Sequence, residues 1–124
     1  MGLGDAGPGI VDLGAGTGIM TRVLVGLGYD VTAVEPDPLM RARLPAASPG
    51  VTALAGSAEA IPLPEGAVDG MVAAQAYHWF DPDRARAEIA RVLRPGGTAR
   101  ATRLRQGWFF SKIRRRPTRV SAGS

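Results

Sequence analysis

Three glycines at alternate positions, Gly14, Gly16 and Gly18, follow the apolar run Ile10-Val11-Asp12-Leu13 and precede a helix-like pattern. The run is too short for a helix and too apolar for a loop, so it reads as a buried parallel strand. Glycines let the chain turn sharply with no Cβ in the way, and a ligand can then lie against bare backbone. A helix opening at Thr17 or Gly18 would aim its first N–H groups at that ligand. Two carboxylates accompany the turn: Asp12, two residues before Gly14, and Glu35, 21 residues after it. A dinucleotide fingerprint, G-x-G-x-x-G, would put its third glycine at Ile19, which the sequence does not do. A carboxylate beside the turn repels a pyrophosphate and favours a cation. S-adenosylmethionine, with a sulfonium and an ammonium group, meets that requirement. On this stretch alone, an ordinary strand-to-helix turn is the alternative.

Few other residues offer chemistry. His78 is the only histidine, and there is no cysteine, so neither a disulfide framework nor a thiolate metal site is available. One histidine without a ligand cluster makes no zinc site. Glycine at position 2 suggests myristoylation, but Ala6 stands where Ser or Thr is required. No apolar run is long enough to span a bilayer and no basic-then-apolar leader opens the chain, so the cytoplasm is the expected location.

The 124 residues leave room for one domain. The net charge of +4 conceals a split. Residues 1–99 hold seven arginines against eleven acidic residues, whereas residues 100–124 hold seven arginines and Lys112 with no acid. The basic character therefore belongs to a tail, and a nucleic-acid function for the whole chain does not follow from it.

Elements that position the glycine turn follow in order. Residues 1–8 are glycine-rich and read as a flexible N-terminus. After a first strand at 9–13, Ile19, Met20, Val23, Leu24 and Leu27 recur at helical spacing, a face expected to pack on a sheet. Gly28 stops that helix. Tyr29–Glu35 is rich in β-branched residues and reads as a second strand, which carries Glu35 to the carboxyl edge next to the glycine turn. A carboxylate there can accept hydrogen bonds from both hydroxyls of a ribose; a solvated acid at a strand end is the plainer alternative. A short helix near 38–44, a strand at 51–55 and a strand at 68–74 come next. Asp81-Pro82-Asp83 starts a helix, with Asp as N-cap and Pro at its first position, and Ala85, Ile89, Val92 and Leu93 as its buried face. Arg94-Pro95-Gly96-Gly97 reads as a tight turn before a fifth strand from Thr98 to about Leu104. Strands alternating with helices imply a parallel sheet, whose ligands lie beyond the carboxyl ends of the strands. The glycine turn, Glu35, Ser57–Glu59 and Gln75 all fall at that edge.

Five motifs occur in order: Val11–Gly18, Val34-Glu35-Pro36, Gly56-Ser57-Ala58-Glu59-Ala60-Ile61-Pro62, Ala74-Gln75-Ala76-Tyr77-His78-Trp79 and Arg91–Gly97. Together, over about residues 9–103, they resemble a class I S-adenosylmethionine-dependent methyltransferase, of the small-molecule type that includes quinone-biosynthesis enzymes. The resemblance implies a Rossmann-like doubly wound α/β sheet of about five parallel strands in the order 3-2-1-4-5, with a cofactor-binding core at 9–104. It implies that the backbone of Gly14, Ala15, Gly16 and Gly18 passes under the methionine portion of S-adenosyl-L-methionine, with Asp12 orienting the loop. Glu35 would hold the ribose hydroxyls, Pro36 would flank the adenine, and Ser57 and Ala58 would meet the adenine edge. Many family members carry Asp at the Ser57 position; a serine accepts a weaker, neutral bond. Gln75 would line the opening near the methionine, largely through backbone. The sulfonium is already activated, so no general base is obligatory and the catalytic residues stay unassigned. His78 is a candidate base, with a structural histidine as the plainer reading. Tyr77, Trp79 and Phe80 read as core and cleft wall.

The pattern departs from the family at the C-terminus. The family sheet normally ends in an antiparallel hairpin, and residues 105–124 do not read as one; their abrupt basic character suggests a truncated or altered terminus and a tail without regular structure. The fifth strand would then be a sheet edge open to self-association. Methyl transfer to a small-molecule acceptor is the leading expectation. A catalytically incomplete cofactor-binding fragment is a second. A third is a binding module whose aromatic, basic tail meets nucleic acid or an anionic membrane.

Overall fold

The computed structural model describes residues 9–73, 81–103 and 109–114. Six strands form one sheet in the order β3-β2-β1-β4-β5-β6. They are β1 Gly9–Leu13, β2 Asp30–Val34, β3 Thr52–Leu54, β4 Val68–Ala73, β5 Leu93–Arg103 and β6 Phe109–Arg114. Among the described residues three helices lie between them: α1 Ile19–Gly26, α2 Pro38–Ala47 and α3 Pro82–Val92. The pairs β1–β2, β1–β4, β2–β3 and β4–β5 are parallel, as the alternation of elements requires.

Alternate side chains of β1, β2 and β4 enter two separate apolar clusters, one on each face of the sheet. Val11, Leu13, Val34, Met71 and Ala73 pack with Ala85, Ile89 and Val92 of α3. Val31 and Ala33 pack with Leu24 of α1 and Leu44 of α2, joined by Ile10 and Val72. The central strand β1 is thus covered on both sides, and the loop leaving it has a fixed base.

Helix ends follow local chemistry. Asp37 caps α2, its side chain accepting from the amides of Leu39 and Met40. Asp81 caps α3 by accepting from the Arg84 amide, with Pro82 at the first helical position. Gly28, at φ 91°, closes α1 in a Schellman arrangement: the Tyr29 amide donates to Leu24 O and the Gly28 amide to Val25 O.

Four expectations change. The buried side of α1 is Thr21 and Leu24, flanked by Met20, and not the wider stripe; Ile19, Val23 and Leu27 are 64%, 50% and 68% exposed. The cause is polar: the Thr21 hydroxyl donates to buried Asp12 on β1 at 2.6 Å, which fixes the rotation of the helix. Second, α2 runs on through Pro45 to Ala47 instead of ending near 44. Third, the Arg94–Gly97 turn lies inside β5 as a bulge, because Leu93 pairs with Val68 and Thr98 with Gly70. A Cβ on Gly97 would come within 2.8 Å of Asp69 O, so that bulge needs a bare backbone. Fourth, the tail does not lack regular structure throughout: Phe109–Arg114 pairs antiparallel with β5, from Thr98↔Arg114 to Arg103↔Phe109. Backbone groups left unpaired on β5 supply the reason. Among the described residues the sheet therefore ends at β6 and not at β5.

Candidate functional site

The glycine loop leaves β1 at the carboxyl end of the sheet and turns back within five residues. Gly14, Gly16 and Gly18 all hold positive φ, at 65°, 56° and 86°. A side chain at any of them would be strained, since L-residues rarely adopt this region. A Cβ on Gly14 would meet nothing within 4 Å, and one on Gly16 would meet only Gly14 O at 3.9 Å. Both therefore face open space across bare backbone. Gly18 differs, for a Cβ there would press on Leu44 at 3.0 Å.

Glu35 holds this loop. It follows β2, where its own amide donates to Leu54 O of β3 at 3.0 Å. Only 6% exposed, its carboxylate accepts from the Gly16 amide at 2.7 Å through Oε1 and from the Asp37 amide at 2.9 Å through Oε2. Each carboxylate oxygen has a further lone pair for a donor from a ligand. The Gly14 and Ala15 amides donate to Val34 O, at 2.7 and 3.4 Å, and the Gly18 amide to Ala15 O at 2.9 Å. Those four loop amides are thus engaged within the chain. A phosphate-cradling loop needs such amides aimed outward. This one presents carboxylates instead, which is the polarity suited to a cation and to sugar hydroxyls.

Asp12 supplies the second charge. It is 1% exposed, and burial pushes its carboxyl up to about 6; the Thr21 hydrogen bond opposes that shift and the charge of Glu35 adds to it. Pro36 is exposed beside this pair, and its carbonyl and that of Glu35 accept from Arg41 Nη1 of α2 at 3.4 and 2.9 Å.

Ser57 and Ala58 follow β3 at the same edge, in a small closed turn where Ser57 and Ala60 exchange backbone hydrogen bonds at 3.4 and 3.2 Å. The structure thus gathers Asp12, Gly14, Ala15, Gly16, Gly18, Glu35 and Pro36 around one loop, with Ser57 and Ala58 beyond the neighbouring strand. Gln75, Tyr77, His78, Trp79 and Phe80 lie outside the described residues. Among the described residues no group of three or more acidic, histidine or cysteine side chains could hold a metal ion, and no helix is long and apolar enough to cross a membrane.

Sequence reasoning missed Thr21 and Arg41, which shape the site without lining it. It also missed the side chains of α3 that fasten the turn after β3: Glu88, whose carboxyl the Arg91 hydrogen bond holds below the usual carboxylate range, and Arg91 itself. Thr21 left one signal, a hydroxyl among apolar residues on the first turn of α1. The others left none, because their partners are distant backbone groups.

Comparison with known proteins bears on this arrangement. The family model described as "Methyltransferase domain" matches residues 11–101. An uncharacterized methyltransferase of Mycobacterium bovis is 57% identical over 88 residues, which are 71% of this chain and 36% of that protein. The chain therefore spans about a third of that relative's length. Among solved structures, a methyltransferase from an antibiotic biosynthesis pathway of Anabaena variabilis superposes with a TM-score of 0.71 at 33% identity, covering 79% of this chain and 39% of the other. The cyclase SpnF does so with a TM-score of 0.71 at 30% identity, covering 80% and 39%. With the model running from β1 into β5 across the glycine loop, Glu35 and the turn after β3, the chain belongs to the methyltransferase-domain family.

Proposed function

We propose that the chain binds S-adenosylmethionine and forms the cofactor-holding part of a methyltransferase acting on a small molecule. The observation that carries this reading is the open, positive-φ backbone at Gly14 and Gly16 with the buried carboxylates of Asp12 and Glu35 beside it. When bound, the donor supplies an activated methyl group on a sulfonium. The chain's own task is alignment and charge. Gly14, Ala15, Gly16 and Gly18 give the methionine portion a surface without side chains. Asp12 keeps a negative charge near it, Glu35 accepts from the ribose hydroxyls, and Pro36 lies along the adenine. Ser57 accepts from the adenine amino group beside Ala58, and the backbone at Gln75 borders the opening.

A second reading, a cofactor-binding fragment that needs more chain to act on an acceptor, is favoured by the share of the relative that the chain spans. The cyclase among the structural neighbours also means that the fold alone does not select the reaction. Calorimetric titration with S-adenosylmethionine and, separately, with NAD tests the reading. Saturable binding of S-adenosylmethionine, lost in Gly16→Arg and Glu35→Ala, is expected; tight binding of NAD alone would overturn it. Transfer of a labelled methyl group to candidate small molecules then separates an active enzyme from a fragment.

A further inference from the structure

The segment after β3 carries the residues proposed to meet the adenine, yet it has no regular structure of its own. Its internal bonds are the Ser57–Ala60 pair and a 2.8 Å bond from the Leu63 amide to Ile61 O. Polar bonds to α3 and its N-cap fasten it at three successive odd positions. At 59, the Glu59 carboxylate accepts from the Asp81 amide at 3.0 Å, and the Glu59 carbonyl accepts from Arg84 Nε at 3.1 Å. At 61, the amide donates to Glu88 Oε1 and the carbonyl accepts from Arg91 Nη2, both at 2.9 Å. At 63, the carbonyl accepts from Arg91 Nη1 at 2.8 Å. Arg91 is held in turn by Glu88, Nε to Oε2 at 2.6 Å. These groups form a polar rail along one helix, with the segment strung on it.

Burial alone already fixes the segment in the core. Ala58 and Ile61 are 7% and 4% exposed and pack against Ala85, Ile89 and Val92. The rail adds direction. Hydrogen bonds with one ionised partner are short and geometrically demanding, whereas apolar contact tolerates sliding. Small displacements of a positioning segment lower the yield of a binding interaction out of proportion to their size.

We propose that Glu59 and the Glu88–Arg91 pair are positioning residues for the adenine end of the ligand, setting the base preference of the site through the Ser57-Ala58 turn. The proposal rests on the S-adenosylmethionine reading. None of the three touches the ligand; each acts through the turn that does.

The test is the affinity of the full chain for S-adenosylhomocysteine and for its inosine counterpart, which has an oxo group in place of the adenine amino group. Glu59→Ala and Arg91→Gln are each expected to narrow the wild-type preference for the adenosyl ligand by about tenfold, the scale of one lost oriented hydrogen bond. Glu59→Gln, which retains an oxygen to accept from Asp81, is expected to restore most of it. In Ser57→Ala the same Glu59→Ala change should have little further effect, because residues acting through one turn are not additive. A lowered melting temperature with the wild-type preference intact would show a merely structural role and overturn the proposal while leaving the S-adenosylmethionine reading standing. A wild-type chain that binds no adenosyl ligand would overturn both.

Discussion

Replacing Asp12 with Asn should stabilise the chain at neutral pH while weakening the site. The buried carboxyl is raised from 3.8 to about 6. At 1.36 kcal/mol per unit, that shift means the folded state holds the ionised form at a cost of about 3 kcal/mol. The folded protein binds this proton more tightly than the unfolded chain, so the stability Asp12 contributes is fully present below pH 3.8 and is lost as pH rises through about 6. Asn is neutral throughout, and its amide oxygen can still accept from Thr21. Chemical denaturation of both proteins from pH 4 to 7.5, read as the difference between them, removes the contribution of every other titrating group. Asp12→Asn should approach the wild type near pH 4 and exceed it by up to about 3 kcal/mol at pH 7.5. Affinity for a cationic ligand should move the other way. If binding returns Asp12 to its ordinary value, wild-type affinity rises by up to about a hundredfold between pH 4 and 7.5, with a proton released below pH 6. In Asp12→Asn that rise should be absent. A variant less stable than wild type at pH 7.5, with the same pH profile of affinity, would refute the reasoning.

Other substitutions separate the roles of individual residues. Gly14→Ala and Gly28→Ala both force an L-residue into positive φ with no steric neighbour, so each should cost about 1–2 kcal/mol in denaturation; only Gly14→Ala, which puts a side chain on the proposed binding loop, should also abolish ligand binding by calorimetry. Gly18→Ala adds the 3.0 Å approach to Leu44 and should be the most destabilising of the three. Ile89→Ala, at a position 1% exposed between α3 and the sheet, should cost about 2–5 kcal/mol in urea denaturation. Removing the α2 cap with Asp37→Ala should cost about 1 kcal/mol in the same assay.

The parts of the fold legible in the sequence were those whose signals are local. The apolar run into alternating glycines, the strand ending at Glu35 and the Asp81-Pro82 helix start each carry their instruction within a few residues, and parallel pairing follows from their alternation; the order 3-2-1-4-5 is what the family resemblance implied. What escaped depends on distant partners. The rotation of α1 is set by one hydrogen bond from Thr21 to a strand nine residues earlier, which outweighs the hydrophobic spacing of Ile19, Val23 and Leu27. Pairing of Phe109–Arg114 depends on an open edge of β5, not on its own pattern. Glu88 and Arg91 look like an ordinary i,i+3 surface pair until their bonds to the backbone 27 to 30 residues away are seen. At the site, the residue types around the glycine loop were readable, but not that Glu35 itself closes it through Gly16.

The most direct measurement is a titration of isotopically labelled chain with S-adenosylhomocysteine, followed through backbone amide resonances. Because the Gly16 amide donates to Glu35, its resonance reports on the glycine loop itself. Saturable shifts confined to residues 12–18, 35–37, 57–58 and the neighbourhood of Gln75 are expected, with Gly16 among the largest. Shifts centred elsewhere, or none at saturating ligand, would contradict binding at the glycine loop.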